Sequence, residues 1–185
     1  IPRNTRVLVD GVYMQLGDTL SDKGIEFLCG KVSGLTGLNI DYYVKVDVGS
    51  IATAIDVLGT VEYNVPVDMV YSDPEQNLEI NLTAGKTELD GAMAAQLLRY
   101  VGYENGATER MNVTIDLCNA ILAKFTDLQY LDEADDLYEA MKDHIETTFT
   151  LDDLLNNLDL IFAYSKFKTA TESYPGYNKV YDGIT

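Results

Sequence analysis

The sequence predicts an α/β fold, in which a sheet is flanked by helices on both of its faces. Segments with the 3.6-residue period of a helix alternate along the chain with segments that have the two-residue period of a strand. The 185 residues are 46% hydrophobic and 23% charged, which is ordinary for a soluble globular protein. Neither an internal repeat nor a Ser/Pro-rich linker interrupts the pattern. We therefore expect a single domain over residues 1–185.

The first third of the chain is predicted to contain two helices with a short strand between them. Ser21 or Asp22 is expected to cap the first helix, and Gly37 to end it. The second helix is expected to run from about Asp47 to Gly59. The strand is residues 43–46, and the apolar stripes of the two helices are Ile25, Leu28, Cys29, Val32 and Leu35, and Val48, Ile51, Ala52, Ile55 and Leu58.

Alternating apolar and polar side chains predict two strands in the middle of the chain. The first covers residues 61–67, where Pro66 suggests an edge position because proline cannot donate to a strand ladder. The second covers residues 78–82. Between and after them, residues 71–77 are predicted to form a loop and residues 84–86 a turn.

Helices are predicted to dominate the second half. Residues 87–90 resemble a capping box that opens the next helix, and Gly102–Ala107 separate it from the one that follows. Thr150 with Asp153 is expected to cap a later helix, and the tail from Ser173 to be irregular or a terminal strand. The apolar stripes of the four helices are Leu89, Met93, Leu97 and Tyr100; Met111, Ile115, Cys118, Leu122 and Phe125; Ala134, Leu137, Tyr138, Met141 and Ile145; and Leu154, Leu155, Leu158, Ile161 and Phe162.

The formal net charge of −17 argues against nucleic acid as a partner, because non-specific binding to nucleic acid requires a basic surface. His144 is the single histidine, too little for a zinc site or a Ser-His-Asp triad, so we expect a structural or surface role for it. Much of the acid lies late in the chain. It is interpreted as a solvated helix face, with a cation-binding face as the alternative, and comprises Asp132, Glu133, Asp135, Asp136, Glu139, Asp143 and Glu146.

Cysteine usage and apolar runs leave the cellular compartment open. Cys29 and Cys118 fall on predicted helix stripes and are expected to be buried free thiols, since their spacing does not suggest a disulfide. No apolar run reaches the roughly 18 residues of a membrane span, and no signal peptide is visible. The chain opens on Ile1 rather than Met and is expected to be a fragment or processed form.

The four arginines are the candidate ligand-binding residues. Arg3 and Arg6 lie in the first six residues, whereas Arg99 and Arg110 bracket the Gly102–Ala107 break. Arginine suits forked contacts with phosphate. In a protein this acidic, an anionic ligand needs locally concentrated positive charge or a bridging metal. Spacing alone leaves open that these are four unrelated surface arginines.

Five segments resemble motifs of the LytR–CpsA–Psr (LCP) family, in the same order and at similar spacing from Ile1 to about Phe125. Residues 1–5, IPRNT, resemble the family's SIPRDT strand end, and residues 37–47, GLNIDYYVKVD, its GIxIDxYVxVD segment. Residues 54–61, AIDVLGTV, are similar to VDxLGGV. Residues 78–85, LEINLTAG, with LDG at 89–91 resemble LxIxLxxG followed by LxGxxA.

This resemblance implies a three-layer α/β/α fold around a central mixed sheet, with an apolar cavity for a polyprenyl chain and arginines that hold the pyrophosphate at its mouth. It implies Mg²⁺-dependent transfer of a phosphoglycosyl polymer from a polyprenyl-pyrophosphate carrier to peptidoglycan. It further implies that the first strands of the domain and a membrane anchor lie upstream of Ile1, which would place the domain outside the cytoplasm.

By the same resemblance, Arg3, Arg99 and Arg110 are expected to converge on one site and to neutralise the non-bridging oxygens during attack at phosphorus. Arg6 is a further candidate for substrate binding. Asp56 and Gly59 are expected to be structural. The cavity is expected to be lined by some of a set of residues that could instead be packed core: Ile51, Ile55, Met93, Leu97, Ile115 and Leu122.

The sequence departs from the family at positions that carry chemistry. Asn4 stands where the family has an aspartate linked to the metal, and Val101 where it has the second arginine of an Arg-x-Arg pair. Ala107, Val113 and Thr114 stand where Asp, Arg and Gln are expected, and Thr60 where a second Gly is expected. Three functions therefore remain open: a transferase with a reduced site, a domain that binds polyprenyl phosphates without catalysis or regulates, and an envelope interaction module that uses its acidic face.

Overall fold

The computed structural model describes residues 1–125 and 142–157, together with the single positions 138, 139, 163 and 175. Helices and strands alternate along these residues, which confirms the α/β class. The chain divides into two compact units, of which the first comprises residues 1–43 and 169–185 and the second residues 44–168. The expectation of a single domain over residues 1–185 stays a prediction. The predicted tail from Ser173 and most of the acidic stretch after Leu131 lie outside the described residues.

The first unit begins with a hairpin that the hydrophobic periodicity does not predict. Strands β1 (Arg6–Val9) and β2 (Val12–Gln15) pair antiparallel, and Asp10 and Gly11 turn the chain with φ of 51° and 84°. An Asp-Gly pair with positive φ at both residues is a strong hairpin signal. Alternation sends Val7 and Val9 into a small core that also contains Leu16.

Two helices complete the first unit. Helix α1 covers Leu16–Lys23 and α2 covers Ile25–Thr36, with Gly24 between them at a φ of 88°. The predicted cap at Ser21 or Asp22 was wrong, because both residues lie inside α1. Gly37 does end α2 in the left-handed conformation, with its N–H donating to the Ser33 carbonyl at 2.8 Å.

The second unit begins with β3 (Val44–Lys45) and α3 (Val48–Val57). Helix α3 begins where predicted, and Asp47 caps it: its carboxylate accepts from the Ser50 N–H at 2.7 Å, and the Ser50 hydroxyl accepts from the Asp47 N–H at 3.3 Å. Gly59 follows the helix with a φ of 88°.

Two nested hairpins follow α3. Strand β4 (Val61–Val65) pairs with β7 (Gly85–Leu89), and β5 (Met69–Asp73) pairs with β6 (Leu78–Leu82) inside it. A 3₁₀ turn over Pro74–Gln76 joins the inner pair. Residues 71–73 and 85–86 are therefore strand, where a loop and a turn were predicted, because they pair with strands that are distant in sequence.

The ladder is interrupted where residues 66–68 oppose residues 83–84, an extra residue of the kind found in β-bulges. Pro66 lies in this interruption, where the N–H that it lacks is not needed. The Asp68 carboxylate accepts from the Ala84 N–H at 2.7 Å and so pairs one backbone donor there. Among the described residues each strand pairs with a single neighbour, and every pair is antiparallel.

Helices α4 (Gly91–Arg99) and α5 (Gly106–Phe125) follow the hairpins. The predicted capping box at Thr87 was wrong: Thr87 lies in β7, and Asp90 caps α4 by accepting from the Met93 N–H at 2.8 Å. The main core packs α3, α4 and α5 against the hairpins. Its fully buried side chains include Ile55, Met69, Ile80, Leu89, Leu97 and Leu117.

The last described elements are β8 (Glu146–Thr147), paired with β3, and α6 (Leu151–Asn156). Thr150 and Asp153 bond reciprocally at the start of α6, as predicted. The predicted helix through Ile145 was wrong at its end, since residues 142–144 form a turn before β8. Cys29 and Cys118 are free, as expected, although both are half-buried rather than fully buried.

Candidate anion-binding site

Arg3 and Arg6 belong to the first unit. Arg3 lies in a turn, closed by the Thr5 N–H on the Pro2 carbonyl at 3.0 Å, and precedes β1 rather than ending a strand. Its guanidinium lies 3.7 Å from the Asp18 carboxylate, and 80% of its side chain is exposed. Such an exposed pair contributes little to stability, so Arg3 can exchange Asp18 for a ligand at small cost. Arg6 is the exposed first residue of β1.

Arg99 and Arg110 belong to the second unit and lie where the sequence predicted them. Arg99 is the last residue of α4, and Arg110 is in the first turns of α5. Both side chains are exposed. Within the described part of the chain, no carboxylate lies within ion-pair distance of either guanidinium. The convergence of Arg3 with this pair stays a prediction.

The corner between α4 and α5 is built around Tyr103. This side chain is only 6% exposed, and its hydroxyl donates to the Leu97 carbonyl at 3.3 Å. Its ring meets the Tyr100 ring edge to face, with centroids 5.0 Å apart. At the start of α5 the Glu109 carboxylate accepts from the Asn105 N–H at 3.1 Å. The segment joining the two arginines is therefore packed rather than a free loop.

Tyr63 of β4 ties α5 to the hairpins, since its hydroxyl donates to the Val113 carbonyl at 3.4 Å. Burial, with smaller effects from neighbouring charges, raises the pKa of Tyr63 and of Tyr103 to about 12 each. Both hydroxyls therefore stay protonated, and remain donors, throughout the physiological pH range.

These two tyrosines predict a loss of stability in alkali. Above pH 10 an unfolded tyrosine ionises while the folded ones hold their protons up to about pH 12. The stabilisation is thus complete below pH 10 and is lost as the pH rises toward 12. We expect Tm, measured by circular dichroism, to fall steeply across this interval, and less steeply in Tyr63→Phe. An equal slope in that variant would contradict the assignment, and the exposed Tyr71→Phe is the control.

Asp56 fastens the start of α4 to α3. Its carboxylate accepts from the Gly91 N–H at 2.8 Å, at the first residue of α4. Gly91 is buried, and a Cβ there would lie 2.5 Å from both the Ala52 carbonyl oxygen and the Asp56 carboxylate. At the other end of α4, the Gln96 side chain accepts from the Asn81 N–H of β6 at 2.9 Å. Helix α4 is thereby fixed along its length, which sets the position of Arg99.

If Asp56 is structural, the stability of the fold should depend on its oxygen acceptor more than on its negative charge. Asp56→Asn keeps an oxygen for the Gly91 N–H and should change the free energy of unfolding by less than about 0.5 kcal/mol. Asp56→Ala leaves that N–H unpaired and should cost about 1–3 kcal/mol. Urea denaturation measures both. An Asp56→Asn chain that is as stable as wild type but binds no ligand would show that the role is not structural.

The residues predicted to line a cavity belong partly to the core. Ile51, Ile55 and Leu97 are buried in the main cluster and Met93 packs against it, whereas Leu122 is 42% exposed. The four residues in or beside the core match the alternative of packed core, and the cavity stays a prediction.

Helix α5 has apolar residues on two opposite sides. Since successive residues turn by about 100°, positions 113, 117, 120 and 121 share one side and positions 111, 115, 118 and 122 the other. The first set packs into the core. The predicted stripe is the second set, which is half-buried or exposed. Periodicity could not choose between two apolar faces, because both repeat with the helical period.

The described residues contain no group of three His, Cys, Asp or Glu side chains placed to hold a metal ion. Asn4, at the position of the family's aspartate, is exposed and offers only an amide oxygen. These residues do not form a ready-made magnesium site, and Mg²⁺ stays a prediction from the resemblance.

Comparison with known proteins establishes the family. The family model described as LytR_cpsA_psr matches residues 1–185, the whole of the sequence. The chain belongs to the LCP family. The LCP chain is 34% identical over 127 residues to the probable cell wall biosynthesis protein LcpB of Corynebacterium glutamicum. The aligned residues are 68% of this chain and 30% of that protein. Among the helices that the structure describes, none is both long and apolar enough to cross a membrane.

A second relative extends the match over more of the LCP chain. The polyisoprenyl-teichoic acid–peptidoglycan teichoic acid transferase TagV of Bacillus subtilis is 23% identical over 182 residues, or 95% of this chain and 46% of that protein. The crystal structure of TagV matches with a TM-score of 0.75 at 22% identity, over 90% of this chain and 65% of that one, which shows a shared fold. The LCP chain spans half or less of the length of these curated relatives.

Proposed function

We propose that the LCP chain is a phosphotransferase that moves a phosphoglycosyl polymer from a polyprenyl-pyrophosphate carrier to peptidoglycan. The observation that carries the proposal is the pair Arg99 and Arg110, two exposed guanidinium groups on either side of one packed helix corner in a chain of net charge −17. Family membership and the transferase name of TagV support it. A location outside the cytoplasm and an anchor upstream belong to the same proposal.

Catalysis of this reaction depends chiefly on positively charged side chains held in fixed positions. A hydroxyl oxygen of the acceptor attacks the phosphorus that bears the glycan and forms a new P–O bond. The P–O bond to the bridging oxygen breaks, polyprenyl monophosphate leaves with the electron pair, and the hydroxyl proton passes to a base or to water. Negative charge rises on the non-bridging oxygens, where guanidinium groups stabilise it. Arg99 and Arg110 have no described carboxylate partner to displace first.

The test of transfer is the release of polyprenyl monophosphate. The purified chain is incubated with a lipid-pyrophosphate-linked saccharide and a peptidoglycan fragment, with and without Mg²⁺, and the lipid products are separated by mass. We expect polyprenyl monophosphate and the glycosylated acceptor in equal amounts. Binding of the lipid without either product would overturn transfer and favour the second candidate.

That second candidate is a domain that binds polyprenyl phosphates without catalysis. Two departures in sequence favour it, Asn4 for the family's aspartate and Val101 for its second arginine. The ion pair of Arg3 with Asp18 also places a carboxylate beside one of the candidate cations. Native mass spectrometry of the purified protein tests it, and the expected result is co-purified polyprenyl phosphate.

Restoring the missing carboxylate separates the two candidates. In Asn4→Asp, a carboxylate next to Arg3 adds an oxygen ligand of the kind Mg²⁺ prefers. If the site is a reduced transferase, we expect the variant to release polyprenyl monophosphate about tenfold faster with Mg²⁺ and little faster without it, since one charge-assisted contact is worth about 1.5–3 kcal/mol. Asn4→Gln, which adds no charge, is the control. No gain with Mg²⁺ would argue for the binding-only domain.

A further inference from the structure

We propose that Tyr103 is a positioning residue for the anion site: its buried hydroxyl and ring hold the α4–α5 corner so that Arg99 and Arg110 meet one pyrophosphate together. The inference rests on the proposed function, because it assumes that these two arginines bind the pyrophosphate. It adds a residue that touches neither phosphate nor lipid and acts through the two arginines.

The first support is the way in which α4 ends. The last four carbonyls of a helix lack intrahelical partners and need others. The Tyr100 N–H donates to the Gln96 carbonyl at 3.1 Å, and the Tyr103 hydroxyl donates to the Leu97 carbonyl at 3.3 Å. Leu97 is fully buried, so this carbonyl would have poor access to water if the hydroxyl were removed. Tyr103 thus fixes the helix end two residues before Arg99.

The second support is the packing of the corner. Tyr103 stacks edge to face on Tyr100, whose ring lies over Gly102 so closely that a Cβ on Gly102 would meet it at 2.6 Å. The Gly106 N–H then closes the turn on the Tyr103 carbonyl at 3.0 Å, with Gly106 at a φ of 55°. Tyr103 therefore contacts the end of α4 through its side chain and the start of α5 through its backbone.

The third support is electrostatic. Among the charges that act on the Tyr103 hydroxyl, Glu109 raises its pKa and Arg110 lowers it, both after the larger effect of burial. The Arg110 guanidinium thus lies within interaction range of the group that fixes the end of α4. A single buried side chain stands between the two arginines in sequence and is coupled to the helices that bear them.

A fixed separation matters because both guanidinium groups are exposed. Arginine side chains that are free in solvent lose conformational entropy when they bind a ligand. If the backbone that carries both arginines is already rigid, no backbone entropy has to be lost in addition. A corner held by Tyr103 presents the two charges together, whereas a loosened corner presents them as independent cations.

The test is a double-mutant cycle on binding of geranyl pyrophosphate by titration calorimetry. We expect Tyr103→Phe, which removes only the hydroxyl, to lower affinity about three- to tenfold in the wild-type background, in the range of coupled neighbours. In Arg99→Ala or Arg110→Ala backgrounds the same change should cost less than about twofold, because no pair remains to be aligned. Tyr100→Phe, whose exposed hydroxyl makes only a 3.5 Å contact with the Gly102 carbonyl, is the matched control and should leave affinity unchanged.

The outcomes separate this inference from the proposed function. If Arg99→Ala and Arg110→Ala bind geranyl pyrophosphate as wild type does, the anion site itself fails. If they lose affinity but Tyr103→Phe does not, or if Tyr103→Phe costs the same in every background, the positioning role is overturned. If Tyr103→Phe does not fold, a double-mutant cycle of Arg99→Ala with Arg110→Ala replaces it. Losses of binding free energy that add in the double variant overturn the fixed pair. A double variant whose affinity falls by less than the product of the two single fold-losses supports it.

Discussion

Arg99→Ala and Arg110→Ala are each expected to weaken binding of a short-chain polyprenyl pyrophosphate by about tenfold or more. Each forked contact of a guanidinium with phosphate is typically worth about 1.5–3 kcal/mol. Neither arginine has a described carboxylate partner whose loss would confuse the result. Arg3→Ala should show a loss of similar size if Arg3 joins the site, and Arg6→Ala a smaller one. Titration calorimetry with geranyl pyrophosphate measures all four.

Lys86→Ala is the matched control for these arginines. Lys86 is an exposed cation of the second unit that pairs with Glu62 at 3.2 Å, so its removal changes the net charge equally without touching the α4–α5 corner. We expect its affinity to stay within about twofold of wild type, because exposed charges at a distance are screened. Unchanged affinity in all the arginine variants would identify the arginines as relics of the family's site. An equal loss of affinity in Lys86→Ala would show that the effect of the arginine variants comes from net charge alone.

Gly91→Ala is expected to lower the free energy of unfolding by about 2–3 kcal/mol, the usual cost of overpacking a tight contact. The added Cβ would lie 2.5 Å from the Ala52 carbonyl oxygen, a backbone atom that cannot swing away, and equally close to the Asp56 carboxylate. Helices α3 and α4 must therefore separate, and the hydrogen bond from the Gly91 N–H to Asp56 must lengthen. Urea denaturation followed by circular dichroism measures the change.

Gly30→Ala is the control with the opposite expected sign. Gly30 lies inside α2, and apart from its own stretch of helix nothing lies within 4 Å of the place where its Cβ would be. Alanine is the better helix former by up to about 1 kcal/mol, so this variant should be slightly more stable than wild type. If Gly91→Ala were also as stable as wild type, the close crossing of α3 and α4 would be wrong.

Local chemistry explains the parts of the fold that could be predicted. Asp47 before α3, Gly37 after α2 and Thr150 with Asp153 before α6 all act on backbone groups within three or four residues, so their effect is visible in a short window of sequence. The Asp10-Gly11 dipeptide is a local signal of the same kind, and it marks the hairpin even though the alternation of β1 and β2 is weak.

The remaining differences come from partners distant along the chain. Residues 84–86 suggest a turn and residues 87–90 a capping box, yet residues 85–89 form β7 because β4 offers a full ladder of backbone groups 20 residues or more earlier in the chain. The face of α5 that enters the core was undecidable for a related reason. Both of its sides are apolar, and only the position of the hairpins and α4 determines which side is covered.

The sequence by itself determined the α/β class, the family, the helix ends at Gly37, Asp47 and Thr150, and the positions of Arg99 at the end of α4 and Arg110 near the start of α5, because each depends on local propensity or on matched motifs. Only the tertiary structure decided that Asp56 binds the Gly91 N–H, that Gly91 admits the crossing of α3 and α4, and that Tyr103 closes the corner between the two arginines. These contacts depend on distances between backbones that meet only after the core has packed. A sequence shows which groups can donate and accept, whereas packing decides which of them come within hydrogen-bonding distance of one another.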